Sequence, residues 1–241
     1  MDFLGLRTLT VIHDTELAVR RKDPDFRIAN LDYDDPDTYA MLAKGETEGI
    51  FQLESTGMTQ VLVGMRPKNL EDIIALISLY RPGPMDSIPT YLRNRKDPSH
   101  VTYKTPQMAH IVDVTNGVVI YQEQVMQICR ELAGYSYGQA DLVRRAMSKK
   151  KLKVMEAERE HFVHGCKEPG KECAGCVANG VPENIANEIY DDMISFASYA
   201  FNKSHAACYA YVAFQTAYLK CHYPHEFMAA LLTSVLDNTS K

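Results

Sequence analysis

The sequence lacks the features that mark membrane, secreted and repetitive proteins. No stretch of its 241 residues approaches the apolar length of a membrane span. The first residues, MDFLGLRTLTVI, lack the basic-then-apolar order of a secretory signal. There is no internal repeat and no low-complexity tract. We therefore expect a globular cytoplasmic protein whose six cysteines are reduced thiols.

The net charge is small, but positive charge is concentrated in one segment. The formal net charge is −5, which argues against a simple nucleic-acid binder. However, residues 144–153, RRAMSKKKLK, hold six of the 26 lysines and arginines and no acid. A basic island in an acidic protein creates a local field that steers anions.

The hydrophobic periodicity predicts a mainly α fold with a few short strands. The two candidate strands are residues 49–53 and 118–121. A loop-rich part lies near 81–117, and a cysteine- and glycine-rich insert occupies 165–180.

The basic island lies on a predicted helix over residues 141–151. Arg144, Ser148 and Lys151 share one face, and Arg145 and Lys149 form an adjacent row. Guanidinium forks on such a helix match phosphate oxygens in a bidentate manner.

The opposite side of this helix, with Leu142 and Ala146, is expected to face the core. The competing interpretation is a solvated charged face on which Asp141 and Arg145 form a surface ion pair at i, i+4.

A second candidate anion site is the segment Phe201-Asn202-Lys203-Ser204-His205 before an apolar helix. Asn202 or Ser204 can cap that helix, and its free amides would lie beside Lys203 and His205. The alternative is ordinary capping, with His205 packed in the core. Separately, Tyr80-Arg81-Pro82-Gly83-Pro84 predicts a rigid turn that could fix the direction of Arg81.

Three cysteines could bind a metal. Cys166, Cys173 and Cys176, with His161 and His164 before them, could hold zinc tetrahedrally. A second Cys-x2-Cys is absent, and a solvated loop is the alternative.

Asp2 is a candidate carboxylate for phosphoryl transfer. A two-metal reaction needs several carboxylates, and no Asp-x-Asp pair elsewhere lies on a plausible apolar strand.

Seven ordered blocks together resemble the α subunit of bacterial DNA polymerase III, the C-family replicative DNA polymerases. They are MDFLGLRTL, GIFQLES-x-GM (49–58), ALISLYRPGPM (75–85), YQEQVMQI (121–128), AGYSYGQADLVRRAMSKKK (133–151), FNKSHAACYA (201–210) and AYLKCHYPHEFMAALLTS (217–234). The resemblance covers essentially the whole chain.

The resemblance implies that residues 1–5 end the palm and residues 6–241 form the helical fingers region of a DNA-directed DNA polymerase. The metal-binding acidic pair, the clamp-binding part and other domains would lie outside this chain, so that these residues alone would be inactive. Asp2 would then be the catalytic carboxylate that helps to bind Mg²⁺. Partners would be primed template DNA, deoxynucleoside triphosphates, and the sliding clamp and other replisome subunits through those outside parts.

The same resemblance assigns the nucleotide pocket. Its expected members are Arg144, Arg145, Lys149, Asn202, Lys203, His205, Tyr209 and Arg81. The chain departs from the family pattern at Ala200, where glycine is expected, and in the cysteine-rich insert. A zinc-stabilised nucleic-acid-binding helical module and a purely helical scaffold are the rival hypotheses.

Overall fold

A computed structural model describes residues 5–149, 152–197 and 201–236. Over these ranges the chain is mainly α, as predicted. The helices found there are α1 Arg7–Val19, α2 Pro36–Ala43, α3 Thr56–Met65, α4 Leu70–Leu79, α5 Ile88–Lys96, α6 Ala109–Val112, α7 Gln122–Ala133, α8 Tyr137–Ser148, α9 Leu152–His164, α10 Glu183–Ala197, α11 Lys203–His222 and α12 Pro224–Thr233.

The prediction of a few short strands is wrong for the described part of the chain. Gly49 and Gln52 have φ angles of 74° and 64°, which lie outside the β region. Residues 47–53 run through successive turns instead. Tyr121 makes only an isolated parallel bridge with Phe201. Residues 81–117, expected to be rich in loops, also contain α5, α6 and several 3₁₀ turns.

The chain divides into two compact units. The first comprises Met1–Ile77 and Ala206–Lys241, and the second comprises Ser78–His205. In the first unit α1 packs along α12. Val11, Ile12 and Phe227 belong to its core and are at most 4% exposed.

The second unit is built on α7, α8, α9 and α10, which pack on one another. Its core includes Ile128, Phe162 and Tyr190, all fully buried. Gly134 ends α7 with a φ of 74°, the left-handed conformation expected of a helix C-cap glycine.

The face of the basic helix α8 that packs on the core differs from the predicted face. Ala146 is buried as expected, but Leu142 is 66% exposed, and Ala140 and Val143 are buried in its place. Because Ala140, Val143 and Ala146 recur every three residues, they form one apolar face against the core of this unit. Leu142 projects away from that face.

Candidate functional site

Two arginines of α8 converge on one carboxylate. Arg144 donates from Nε and Nη2 to Asp141 Oδ1 at 2.9 and 2.6 Å. Arg145 Nε lies 2.6 Å from Asp141 Oδ2. Hydrogen bonds from Arg144, with the positive charge of both arginines, lower the pKa of Asp141. The predicted Asp141–Arg145 surface pair is thus present, and Arg144 shares it.

Arg144 also joins α8 to the start of α7. Its Nη1 donates to Gln122 Oε1 at 3.0 Å. The Arg144 side chain is 27% exposed, whereas that of Arg145 is 63% exposed. Arg144 is therefore the more firmly oriented of the two cations.

The start of α7 is fixed by a buried glutamine. Gln124 Oε1 accepts hydrogen bonds from the amides of Ile120 and Tyr121 at 2.8 and 2.9 Å. Gln124 Nε2 donates to Ile111 O at 3.0 Å and to Thr115 Oγ1 at 2.7 Å. This network satisfies the polar atoms of Gln124 and holds the segment that carries Gln122 and Glu123.

The segment before α11 pairs through its backbone with the start of α7. Phe201 N donates to Ile120 O at 3.3 Å, and Gln122 N donates to Phe201 O at 3.0 Å. The Arg81 guanidinium lies 4.2 Å from the centre of the Phe201 ring. Arg81 is thereby brought to the start of α11 by a cation–π contact.

Glu123 lies at the first turn of α11. Its carboxylate accepts from Asn202 Nδ2 at 2.9 Å and from Lys203 N at 3.1 Å. Asn202 is the cap of the helix, since its Oδ1 accepts from His205 N at 2.9 Å. A carboxylate is held here by amide donors at the positive end of a helix dipole, an arrangement that also suits a phosphate.

The remaining side chains of this segment surround that helix terminus. Lys203 Nζ is 5.3 Å from the centre of the Tyr121 ring. His205 is exposed rather than packed in the core, and its ring meets that of Phe201 edge-on at 5.4 Å. We call Arg81, Arg144, Arg145, Asn202, Lys203 and His205, with the α7 start that joins them, the cation cluster.

Three predicted site residues are not placed in the cation cluster. Lys149 is exposed just beyond α8. Tyr209 belongs to the first unit, where its ring lies 5.3 Å from that of Phe51. Asp2 lies outside the described residues, as do Lys151 of the basic face and Ala200.

The cysteine-rich insert does not form a metal site in the described part of the chain. No group of three or more His, Cys, Asp or Glu side chains is arranged there to hold a metal ion. Cys176 is fully buried, which raises the pKa of its thiol to about 12. Cys166 and Cys173 instead pair through their backbones.

Sequence reasoning missed the side chains that organise the cluster. Gln122 and Glu123 lie in the first turn of an amphipathic helix, where polar residues are common and carry no distinctive spacing. Only their place within the block YQEQVMQI could have indicated them.

A sequence model of the family described as the bacterial DNA polymerase III alpha subunit finger domain matches residues 8–170. The chain belongs to this family. The subunit alpha of DNA polymerase III from Thermus aquaticus is 51% identical over all of this chain, which covers 19% of that protein. Those from Bacillus subtilis and Staphylococcus epidermidis are 46% and 45% identical over the whole chain, covering 21% and 22% of each.

The chain thus spans about a fifth of the length of these relatives. Among the described residues, no helix is both long enough and apolar enough to cross a membrane. The family match covers α7, α8 and Arg81, and the longer alignments extend over Asn202, Lys203 and His205 as well.

Proposed function

We propose that this chain is the fingers region of a DNA-directed DNA polymerase, and that the cation cluster binds the triphosphate of the incoming deoxynucleotide. The observation that carries the proposal is that Arg144 and Lys203 both contact the first turn of α7. Arg81 lies over the ring of Phe201, whose backbone pairs with the start of the same helix. Residues 1–5 would end the palm, and 6–241 would form the fingers.

The charge arrangement supports this role. Phosphoryl transfer depends on positioning and on stabilising the negative charge that develops on the leaving pyrophosphate. Hydrogen bonds to Asp141 and Gln122 orient Arg144. A preorganised donor of this kind costs little reorganisation during the reaction. Arg145, on the exposed side of the same helix, and Lys149, just beyond its end, would add positive charge.

The start of α11 would supply a second set of donors. Lys203 N and Asn202 Nδ2 now donate to the Glu123 carboxylate. A phosphate oxygen would compete with that carboxylate for the same donors, because both are oxyanions that accept from amides. His205 would add a donor beside them.

Metal chemistry would be supplied largely from outside the described residues, which contain no group of side chains arranged to hold a metal. Asp2 would help to bind Mg²⁺ together with carboxylates of the longer protein. These 241 residues alone would therefore not incorporate nucleotides. Primed DNA, deoxynucleoside triphosphates, and a sliding clamp and other replisome subunits would be the partners of the complete, cytoplasmic subunit.

The test is single-nucleotide incorporation by a complete subunit that carries this sequence. Arg144→Ala should lower kcat/KM for the incoming nucleotide about 10²–10³-fold, the loss expected on removing one preorganised donor. Lys22→Ala is the matched control, since it removes one positive charge from a side chain that is 78% exposed in the first unit. An Arg144→Ala enzyme as efficient as Lys22→Ala would refute the proposal.

A further inference from the structure

The first turn of the cysteine-rich insert is a short hairpin with a cysteine on each side. Cys166 N donates to Cys173 O, and Cys173 N donates to Cys166 O, both at 3.0 Å. These reciprocal bonds make the two residues a directly opposed antiparallel pair, so that their side chains lie on the same face. Both thiols are free and partly exposed.

The spacing of such a pair is compatible with a covalent bond. Opposed residues that exchange both hydrogen bonds have Cα atoms about 5.5 Å apart, within the range of about 4.4–6.8 Å found for disulfides. Their Cβ atoms must approach by up to about 1 Å to reach disulfide distance. Because the two cysteines are partly exposed, a disulfide between them would be of the readily reduced, labile kind.

The surroundings distinguish the two sulfurs. Cys166 Sγ accepts from Glu168 N at 3.5 Å, and the Lys171 ammonium acts on it electrostatically. Cys173 Sγ donates to His161 O at 3.5 Å, and burial raises the pKa of its thiol. Cys173 is therefore assigned the second attack, and Cys166 the first.

We propose that Cys166 and Cys173 are a reversible modification site, at which a low-molecular-weight disulfide such as oxidised glutathione converts the two thiols into an intrachain disulfide. The Cys166 thiolate attacks one sulfur of the reagent, and a mixed disulfide forms as the first reagent thiolate leaves. Cys173 loses its proton and attacks the Cys166 sulfur, and the second reagent thiolate leaves. Two protein thiols are oxidised, and one reagent disulfide is reduced to two thiols.

The disulfide would tie down a hairpin that adjoins the basic helix. Gln139 Nε2, in the first turn of α8, donates to Glu172 O at 3.3 Å. On the other side, Gly175 N donates to Ala133 O at the end of α7 at 2.9 Å. Cys173 lies between Glu172 and Gly175, the two residues of the insert that make these contacts. A link to Cys166 would therefore restrain the part of the insert that supports the loop from α7 to α8.

Three of the remaining described cysteines provide internal comparisons. Cys129 and Cys176 are fully buried and inaccessible to a reagent, whereas Cys208 is exposed. Because trypsin cleaves after Lys167 and Lys171, Cys166 and Cys173 fall in separate peptides.

The experiment is oxidation of the full-length protein that carries this sequence with oxidised glutathione, followed by tryptic mass spectrometry without reduction. The wild type should give the two peptides joined, and dithiothreitol should separate them. Cys173→Ser should accumulate glutathione on Cys166, because the second step is removed. Cys208→Ser should form the link as the wild type does.

Two results would overturn the proposal. One is wild-type protein with Cys208 fully glutathionylated and no joined peptide. The other is a joined peptide that persists in Cys173→Ser, which would place the bond at Cys176.

Discussion

The basic face of α8 and the start of α11 both present cations and donors, but they are assembled in different ways. On α8 the partners are neighbours in sequence, since Asp141 holds Arg144 and Arg145 from one turn away. At the start of α11 they come from separate parts of the second unit, because Glu123 holds Asn202 and Lys203, and Phe201 holds Arg81. The first arrangement depends on helix geometry and the second on the position of α7.

This difference suggests which perturbations should affect both regions and which should affect only one. Gln122 and Glu123 are adjacent on α7, and they reach Arg144 and Lys203 respectively. A change that loosens the first turn of α7 should therefore disturb both regions, whereas a change at Glu123 or Asp141 should stay local.

The largest effect is expected for Gln124→Ala. The variant leaves the buried amides of Ile120 and Tyr121 without their acceptor, and each unsatisfied group costs about 1–3 kcal/mol. The free energy of local opening at this turn should fall by about 2–4 kcal/mol. Hydrogen-exchange mass spectrometry of peptides covering residues 118–124 measures it.

Gln127→Ala is the matched control for Gln124→Ala, since Gln127 lies on the same helix and its side chain donates to Glu131 at the surface. Its effect should stay within about 0.5 kcal/mol. Equal exchange in the two variants would mean that Gln124 does not hold the start of α7.

A smaller, local effect is expected for Glu123→Ala. The change removes the acceptor of Lys203 N and Asn202 Nδ2 and the negative charge at the helix terminus. Exchange in the first turn of α11 should increase by the equivalent of about 1 kcal/mol, and exchange in α8 should not change. Glu131→Ala, an acid on the same helix, controls for charge. If α8 responds as strongly as α11, the two regions are not separately held.

The smallest effect is the pH dependence of Asp141. Because its folded-state pKa lies below the ordinary value of 3.8, its ion pairs contribute fully above that value. The contribution is lost as the pH falls through the folded-state pKa. Hydrogen exchange in α8, corrected for its intrinsic pH dependence, should show this loss in the wild type and not in Asp141→Asn. Identical profiles would show that Asp141 adds nothing to α8.

The same contrast explains how much could be predicted from the sequence. The i, i+4 spacing was enough to predict the Asp141–Arg145 pair. Residue type left the cap of α11 open between Asn202 and Ser204, and the structure shows that it is Asn202. It was not enough to orient α8, where Val143 rather than Leu142 faces the core, because periodicity over a short helix leaves the rotation open by one residue.

Contacts between distant segments were beyond local patterns. Neither the cation–π contact of Arg81 with Phe201 nor the approach of Glu123 to α11 leaves a signature in spacing. The expected strand at 118–121 is only the pairing of Tyr121 with Phe201. A short apolar run indicates burial, but not whether a neighbouring strand exists to form a sheet.

The most direct measurement is a double-mutant cycle between Arg144 and Lys203 in the complete subunit. The quantity is kcat/KM for the incoming nucleotide in Arg144→Ala, Lys203→Ala and the double variant. If both side chains act on one bound triphosphate, the losses should be non-additive, with a coupling energy of about 0.5–3 kcal/mol. Losses that add to within about 0.5 kcal/mol would contradict a single site built from α8 and the start of α11.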